Sequence, residues 1–298
     1  MPRVRANGID VEYEVTGPSA GPPLLIISGY ASQMTSWPDE FHEALSAKGI
    51  RVVRFDNRDI GLGHKFDGIV PDIRAVAQAV AEGRKPDIPY TLDDMADDAA
   101  ALLSALGIAS AHIAGSSMGG MIAQRVAIRH QKKTRSLISL MSTTGDPSLP
   151  RSDPKAQQAL MSKPPAQDKQ SVVDHAVKTR LVIGSPGFSE DQDKVCARFA
   201  ANFDRSYYPE GPIRQWAAVI AARSATEQLK QLRCPALVLH GDADILIHPD
   251  AGRHTAACIP GAELKIIAGW GHNMPPAAVP AITGPILDFI SRVEAQRT

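Results

Sequence analysis

Leu24-Leu25-Ile26-Ile27 is an unbroken apolar run, with Pro23 in front of it and Gly29 just beyond it. A strand with one face in water alternates apolar and polar residues. A run without alternation fits a strand covered on both faces, as in a parallel sheet between two layers of helices. Arg51 to Phe55 is a second such run. Between the two, Asp39 to Lys48 places Phe41, Ala44 and Leu45 at helical spacing and stops at Gly49. The alternation then repeats. Thr91 to Leu106 reads as a helix, with Thr91 as N-cap, Asp93 and Asp94 in its first turn and Gly107 as its stop. His112 to Ala114 reads as a strand, Met118 to Arg129 as a helix and Ser136 to Met141 as a strand. From Pro235 onward come strand Ala236 to His240, helix 249–258, strand Glu263 to Ile267, and a helix from 281 to about 294. Ahead of them all, Val4 to Ala6 and Val11 to Val15 flank Asn7-Gly8, the pattern of a β-hairpin with a tight turn. The pattern predicts an α/β fold: a mostly parallel sheet with helices on both faces.

Residues 145–228 break this rhythm. They are punctuated by proline and helical in character, with no clear strand. The expected organisation is therefore one α/β core, residues 1–144 and 229–298, interrupted by a helical cap at 145–228. The long loop 57–90 holds one short helix candidate, Ile73 to Ala81. A length of 298 residues suits a single α/β core with an insertion, and 44% hydrophobic against 21% charged residues suffices for a buried core. Lys+Arg and Asp+Glu number 32 each. That balance argues against nucleic acid or an anionic membrane as the main partner. Cys196, Cys234 and Cys258 are too few and too scattered for a zinc ribbon or a disulfide framework. No apolar stretch is long enough to span a bilayer, and no secretion-signal pattern follows Met1. The expectation is a cytoplasmic protein.

The sharpest chemical feature is Gly115-Ser116-Ser117-Met118-Gly119. This G-x-S-x-G sequence stands between a predicted strand and a predicted helix. In that context the chain turns so tightly that the central residue is strained, and small residues on either side prevent clashes. The Ser117 hydroxyl then projects above the sheet at a helix N-terminus, which favours developing negative charge. A serine nucleophile needs a base, and the base needs an orienting acid. In such an architecture they follow in the order Ser, Asp or Glu, His, each at the C-terminal end of a strand. Strand 236–240 ends in Gly241-Asp242-Ala243-Asp244, and strand 263–267 in Ala268-Gly269-Trp270-Gly271-His272. Of the other histidines, His42, His130, His175 and His254 fall in helical stretches and read as surface residues. His112 and His240 sit at strand ends and read as structural. His64 and His248 lie on loops near the expected site.

With these motifs the chain resembles the α/β-hydrolase fold family over nearly its whole length. Within it the chain looks most like the esterase branch that includes aclacinomycin methylesterase. The closer match rests on Ser28-Gly29-Tyr30, Trp37-Pro38-Asp39-Glu40-Phe41, Phe55-Asp56-Asn57-Arg58-Asp59-Ile60-Gly61 and Gly115-Ser116-Ser117-Met118-Gly119-Gly120. The resemblance implies an eight-stranded sheet whose second strand is antiparallel. It implies Ser117, Asp244 and His272 as a catalytic triad, because the family's acid sits three residues after the strand-end glycine. It also implies an oxyanion hole from the backbone N–H groups of Met118 and Tyr30. Two departures stand out. Many relatives have His-Gly where this chain has Ser28-Gly29. The family's D-x-R-G-x-G-x-S stretch appears as Asp56 to Gly63, with Asp59 in place of glycine and Gly63 in place of serine; Asp56 and Arg58 are read as structural braces of that loop.

The implied reaction is hydrolysis of a small or medium carboxylic ester through an acyl-enzyme, with no metal or organic cofactor. Each oxyanion donor is typically worth ~2.7–4 kcal/mol. Trp216 and Trp270 are candidates for the substrate pocket wall, while Trp37 reads equally well as core. Cofactor-free perhydrolysis and C–C bond hydrolysis use the same triad and are the rival reactions. A non-catalytic hydrolase-like ligand receptor is the rival of a different class.

Overall fold

The computed structural model describes residues 2–297. The hairpin forms β1 (Arg3–Ala6) and β2 (Ile9–Thr16). Asn7 and Gly8 join them with φ of 49° and 76°, the left-handed pair that a two-residue turn needs to follow strand twist. The apolar runs become β3 (Pro23–Ile27), β4 (Arg51–Phe55), β5 (Ala111–Ser116), β6 (Thr134–Leu140), β7 (Ala236–Gly241) and β8 (Glu263–Ile267). All lie in one eight-stranded sheet in the order β1-β2-β4-β3-β5-β6-β7-β8. β2 runs antiparallel to β4, and the pairs from β4 through β8 are parallel.

The helices of the first half are α1 (Asp39–Ala47), α2 (Ile73–Ala81), α3 (Leu92–Ala105) and α4 (Met118–Arg129). Between β6 and β7 run α5 (Pro154–Met161), α6 (Lys169–Val182), α7 (Gln192–Arg205), α8 (Gly211–Ile220) and α9 (Thr226–Leu229). The chain ends with α10 (Pro249–Cys258) and α11 (Val279–Ala295). Thr91 caps α3 in a reciprocal capping box with Asp94.

The strand composition follows from this layering. Leu25 and Ile27 join Val53, Phe55 and Ile113 in one core cluster with residues of α3 and α4. Leu24 and Ile26 join Val52, Leu237 and Leu239 in a second cluster with residues of α1 and α11. Successive side chains point to opposite faces and both faces are covered, so every position of β3 has to be apolar. Full burial of one such Leu or Ile is worth roughly 1.5–3 kcal/mol.

Two of the parallel strands run past the ends expected from sequence. Gly115 and Ser116 still pair with Ser139 and Leu140, and Gly241 pairs with Ile267. Glycine at these strand ends marks a close approach of another backbone rather than a break. A Cβ at Gly115 would overlap the Gly119 carbonyl, and one at Gly241 the Trp270 carbonyl. His42, expected at the surface, is buried on α1. Burial and the nearby Arg54 lower its pKa, against the pull of neighbouring carboxylates. Its helix is short and packs on the sheet, so even a polar position on it loses contact with water.

Candidate active site

β3 is flanked by β4 on one side and β5 on the other, so the chain reverses its direction across the sheet at β3. In open α/β sheets the crevice beyond the carboxyl ends of the strands at such a switch point is where ligands bind. Here it is bordered by the loop after β3 and by the turn between β5 and α4. Ser117 stands in that turn with φ +55° and ψ −123°, a conformation costing ~1–3 kcal/mol that persists only where neighbours enforce it. They do. The Ser117 N–H donates to the Leu140 carbonyl (3.0 Å), and the Ser117 carbonyl accepts from Ser142 Oγ (2.7 Å) and from the Gly120 N–H (2.9 Å). A Cβ at Gly119 would overlap the Ile27 carbonyl, and one at Gly120 would crowd Ser142. The glycines therefore let the turn fold against β3 and the loop after β6.

Three of the residues singled out from sequence meet in one chain of hydrogen bonds. Ser117 Oγ lies 2.9 Å from His272 Nε2, and His272 Nδ1 lies 2.7 Å from Asp244 Oδ2. An ionised carboxylate only accepts, so Nδ1 carries the proton and Nε2 faces the hydroxyl as an acceptor. Asp244 is buried, and its other oxygen, Oδ1, accepts the N–H groups of Leu246 and Ile247, both at 2.9 Å. Burial by itself would raise the Asp244 carboxyl. The facing His272 and His240 outweigh that effect and hold it well below the ordinary carboxylate range. Asp242 takes a different part: it is exposed and accepts the Gly269 N–H at 2.6 Å. A serine hydroxyl against an imidazole that a buried carboxylate orients can pass its proton to the ring while attacking a carbonyl carbon.

The loop after β3 lies against the same turn. A Cβ at Gly29 would come within 3.2 Å of the Ser116 carbonyl oxygen and 3.4 Å of Ser117 Cβ. Tyr30 follows, and burial pushes its phenol up to about 12, leaving it neutral. Met118 opens α4, where a first-turn N–H has no partner within the helix. Ser28, which replaces the histidine of many relatives, accepts the Trp37 indole N–H at 3.0 Å. The loop after β4 is braced as its motif suggested. Asp56 accepts from the Met34 and Leu62 N–H groups and pairs with Arg205, while Arg58 pairs with buried Asp98.

Trp216 is half-buried on α8, its ring edge-on to Tyr30 with centroids 5.7 Å apart. Trp270 is different from what was expected. It is fully buried in the cluster between the sheet, α1 and α11, and its indole N–H donates to the Asn273 carbonyl at 2.7 Å. Its ring has no surface to offer a substrate. Its carbonyl accepts the Ala243 N–H at 3.1 Å, so it joins the loop of Asp244 to the loop of His272. Trp37 is likewise core. His248 is an exposed N-cap of α10, and His64 packs against Phe66; neither reaches the serine–histidine–aspartate chain.

Other residues of the site were not legible in the sequence. His240, fully buried, donates from Nε2 to the Ile247 carbonyl (2.8 Å) and lies 3.3 Å from Asp244 Oδ2. Its position directly before Gly241 was its one visible mark. The segment after α6 clasps the histidine loop: the His272 N–H donates to the Ile183 carbonyl at 2.7 Å, and the Gly271 N–H to Ser185 Oγ at 2.9 Å. Nothing in the local sequence announces these backbone contacts. Among the described residues no group of three or more His, Cys, Asp or Glu side chains is arranged to hold a metal ion, and no helix is long and apolar enough to cross a membrane.

Comparison with known proteins shows the family of the fold. The chain is similar to rhodomycin D methylesterase DauP of Streptomyces sp. strain C5, 28% identical over 88% of each chain. It is similar to the bifunctional esterase/perhydrolase DCH of Acinetobacter calcoaceticus, 25% identical over 95% of this chain and 97% of the relative. Among solved structures, the enol-lactonase of Burkholderia xenovorans LB400 superposes with a TM-score of 0.72 at 22% identity, over 97% of this chain and 100% of the other. The family model for the alpha/beta hydrolase fold matches residues 22–276, from the start of the parallel strands to just past His272, and the chain belongs to that family.

Proposed function

We propose that this hydrolase is a serine carboxylesterase acting on small to medium carboxylic esters, with Ser117 as nucleophile, His272 as general base and acid, and Asp244 as the orienting acid. The observation that carries the reading is the continuous chain from Ser117 Oγ through both nitrogens of His272 to buried Asp244. Ser117 Oγ attacks the ester carbonyl carbon while its proton passes to His272 Nε2. The carbonyl oxygen gains the negative charge and is met by the N–H groups of Met118 and Tyr30. Collapse breaks the bond to the alkoxy group, which leaves with the proton from Nε2. Water then repeats the sequence on the acyl-enzyme, giving the free acid and restoring the hydroxyl.

The similarity to a methylesterase and to an esterase/perhydrolase supports ester chemistry. Residues 145–228 are proposed as a cap over the core of residues 1–144 and 229–298, with Trp216 beside Tyr30 as part of the pocket wall. A covered, partly apolar pocket favours short acyl chains over long ones. The test is a series of p-nitrophenyl esters from acetate to palmitate, with an aminoacyl amide and a meta-cleavage diketone as controls. The expected result is that short esters are turned over fastest, that chelators leave the rate unchanged, that Ser117→Ala abolishes it and that an organophosphonate labels Ser117. Labelling at Ser116, preference for palmitate at an oil interface, or faster turnover of the amide or diketone would each overturn the reading. Similarity to the esterase/perhydrolase favours one second activity, transfer of the acyl group to hydrogen peroxide from the same acyl-enzyme.

A further inference from the structure

Ala31, the residue after the proposed oxyanion donor Tyr30, is held in an unusual way. It is exposed and takes φ +55°, the left-handed region that a residue with a Cβ enters only when something holds it there. Its methyl group offers no such hold. Within the loop, Ser32 closes the turn, its N–H donating to the Gly29 carbonyl at 3.3 Å and its Oγ to the Tyr30 carbonyl at 3.1 Å; from outside the loop, the hold comes from α8. The fully buried carboxamide of Gln215 accepts the Ala31 N–H through Oε1 at 3.0 Å and donates through Nε2 to the Arg58 carbonyl at 2.8 Å. One side chain of the helical insertion thus ties the loop after β3 to the loop after β4. The residues on either side of it reinforce the grip: Trp216 lies against the Tyr30 ring, and Arg214 pairs with Asp59.

An apolar side chain of the same length would fill the space but leave the Ala31 N–H and the Arg58 carbonyl without this partner. What the carboxamide adds is direction. It fixes the peptide between Tyr30 and Ala31, and so limits rotation of the preceding peptide, whose N–H is the proposed donor to the oxyanion. We propose that Gln215 is a positioning residue for the oxyanion hole, acting through the Ala31 peptide, and that α8 is thereby part of the catalytic architecture. The proposal rests on the ester-hydrolase reading above.

The test begins with Gln215→Met, which keeps the reach of the side chain and removes both hydrogen bonds. Rates are measured on a short p-nitrophenyl ester and expressed per active site titrated with an organophosphonate. The expected result is a fall in kcat of about ten- to a hundredfold, less than the 10²–10³ lost with a whole donor, while KM stays within about threefold. A boronic acid, whose tetrahedral adduct places an oxygen in the hole, loses affinity in step with kcat/KM. Adding Ala31→Gly to Gln215→Met recovers part of the lost kcat, because glycine occupies positive φ unaided. Should Gln215→Met not accumulate as folded protein, Gln215→Asn, one methylene too short to span both loops, carries the same expectations. An unchanged kcat per titrated site, or a loss that Ala31→Gly does not relieve, overturns the proposal. Wild type and Ser117→Ala run alongside: if wild type shows no Ser117-dependent turnover, the ester-hydrolase reading itself falls, whereas normal wild-type turnover with an unaffected Gln215→Met defeats only the role of Gln215.

Discussion

Arg214 grips Asp59 through two hydrogen bonds, Nε to Oδ2 at 2.9 Å and Nη2 to Oδ1 at 3.0 Å, with neither side chain exposed. Asp59 stands where the family's loop has glycine, and it keeps the backbone a glycine would have, with φ +67°. Aspartate tolerates that region better than most residues, at a cost of about 1–2 kcal/mol. The Tyr90 hydroxyl and the Phe66 N–H also donate to its carboxylate. A backbone built for glycine has become an anchor between the core loop and α8.

Removing one partner of this pair leaves the other's charge buried without its two-point partner. Arg214→Leu and Asp59→Gly should each lower the unfolding free energy by about 3–5 kcal/mol. The double variant Asp59→Gly/Arg214→Leu should be more stable than either, since both charges are gone and glycine relieves the strained φ. Urea unfolding of the four proteins measures the coupling; losses that simply add would mean the pair does not act as a unit.

The acid assignment separates two aspartates two residues apart. Asp244→Asn exchanges an acceptor for an amide facing His272 Nδ1 and favours the wrong imidazole tautomer, so kcat should fall by about 10⁴. Asp242→Asn alters an exposed contact to the Gly269 N–H and should cost less than about tenfold. Equal losses, or a larger loss at 242, would reverse the assignment.

These contrasts indicate what the sequence can carry. The strands, α1 to α4, α10 and the serine turn were legible because each is encoded locally: period-2 burial on two faces, the Thr91 cap, glycines flanking Ser117. Asp244 was legible only through family spacing, because nothing local distinguishes it from Asp242. Trp270 was misjudged because an aromatic residue beside a site histidine looks the same in sequence whether its ring faces a substrate or the core. The grip of α8 on the loops after β3 and β4, and that of Ile183 and Ser185 on the histidine loop, join residues far apart in the chain, several of them through backbone atoms. Such contacts leave no local pattern to read.

Acid should inactivate the protein before it unfolds it. Asp244 is held below its unfolded value of about 3.9. The stability it contributes is therefore complete above that value and is lost only as pH falls through the lower folded value. In the proposed mechanism His272 Nε2 must instead be free to take the Ser117 proton. On that mechanism kcat/KM should fall with acid while near-UV circular dichroism stays native. Simultaneous loss of both signals would mean that unfolding, not protonation of the base, sets the acid limit.

Gly241 tests how the loop of the acid and the loop of the base are kept together. β7 ends at this residue, where the Trp270 carbonyl lies so close that a Cβ would overlap it. That carbonyl is backbone, fixed by the buried Trp270 ring and by the Ala243 N–H, so it cannot swing aside as a flexible side chain would. Gly241→Ala should therefore push the histidine loop away from the aspartate loop and lengthen the 2.7 Å bond between His272 Nδ1 and Asp244 Oδ2. A displacement of about 1 Å in a catalytic group can cost about 10² in rate, and that is the loss expected in kcat. Gly261→Ala is the control. It has a positive φ, 71°, but open space around its Cβ position, so it should pay only a backbone cost of about 1–2 kcal/mol in stability and keep its kcat. Comparable kcat values for the two alanine variants would show that the Gly241–Trp270 approach does not set the alignment of His272 and Asp244.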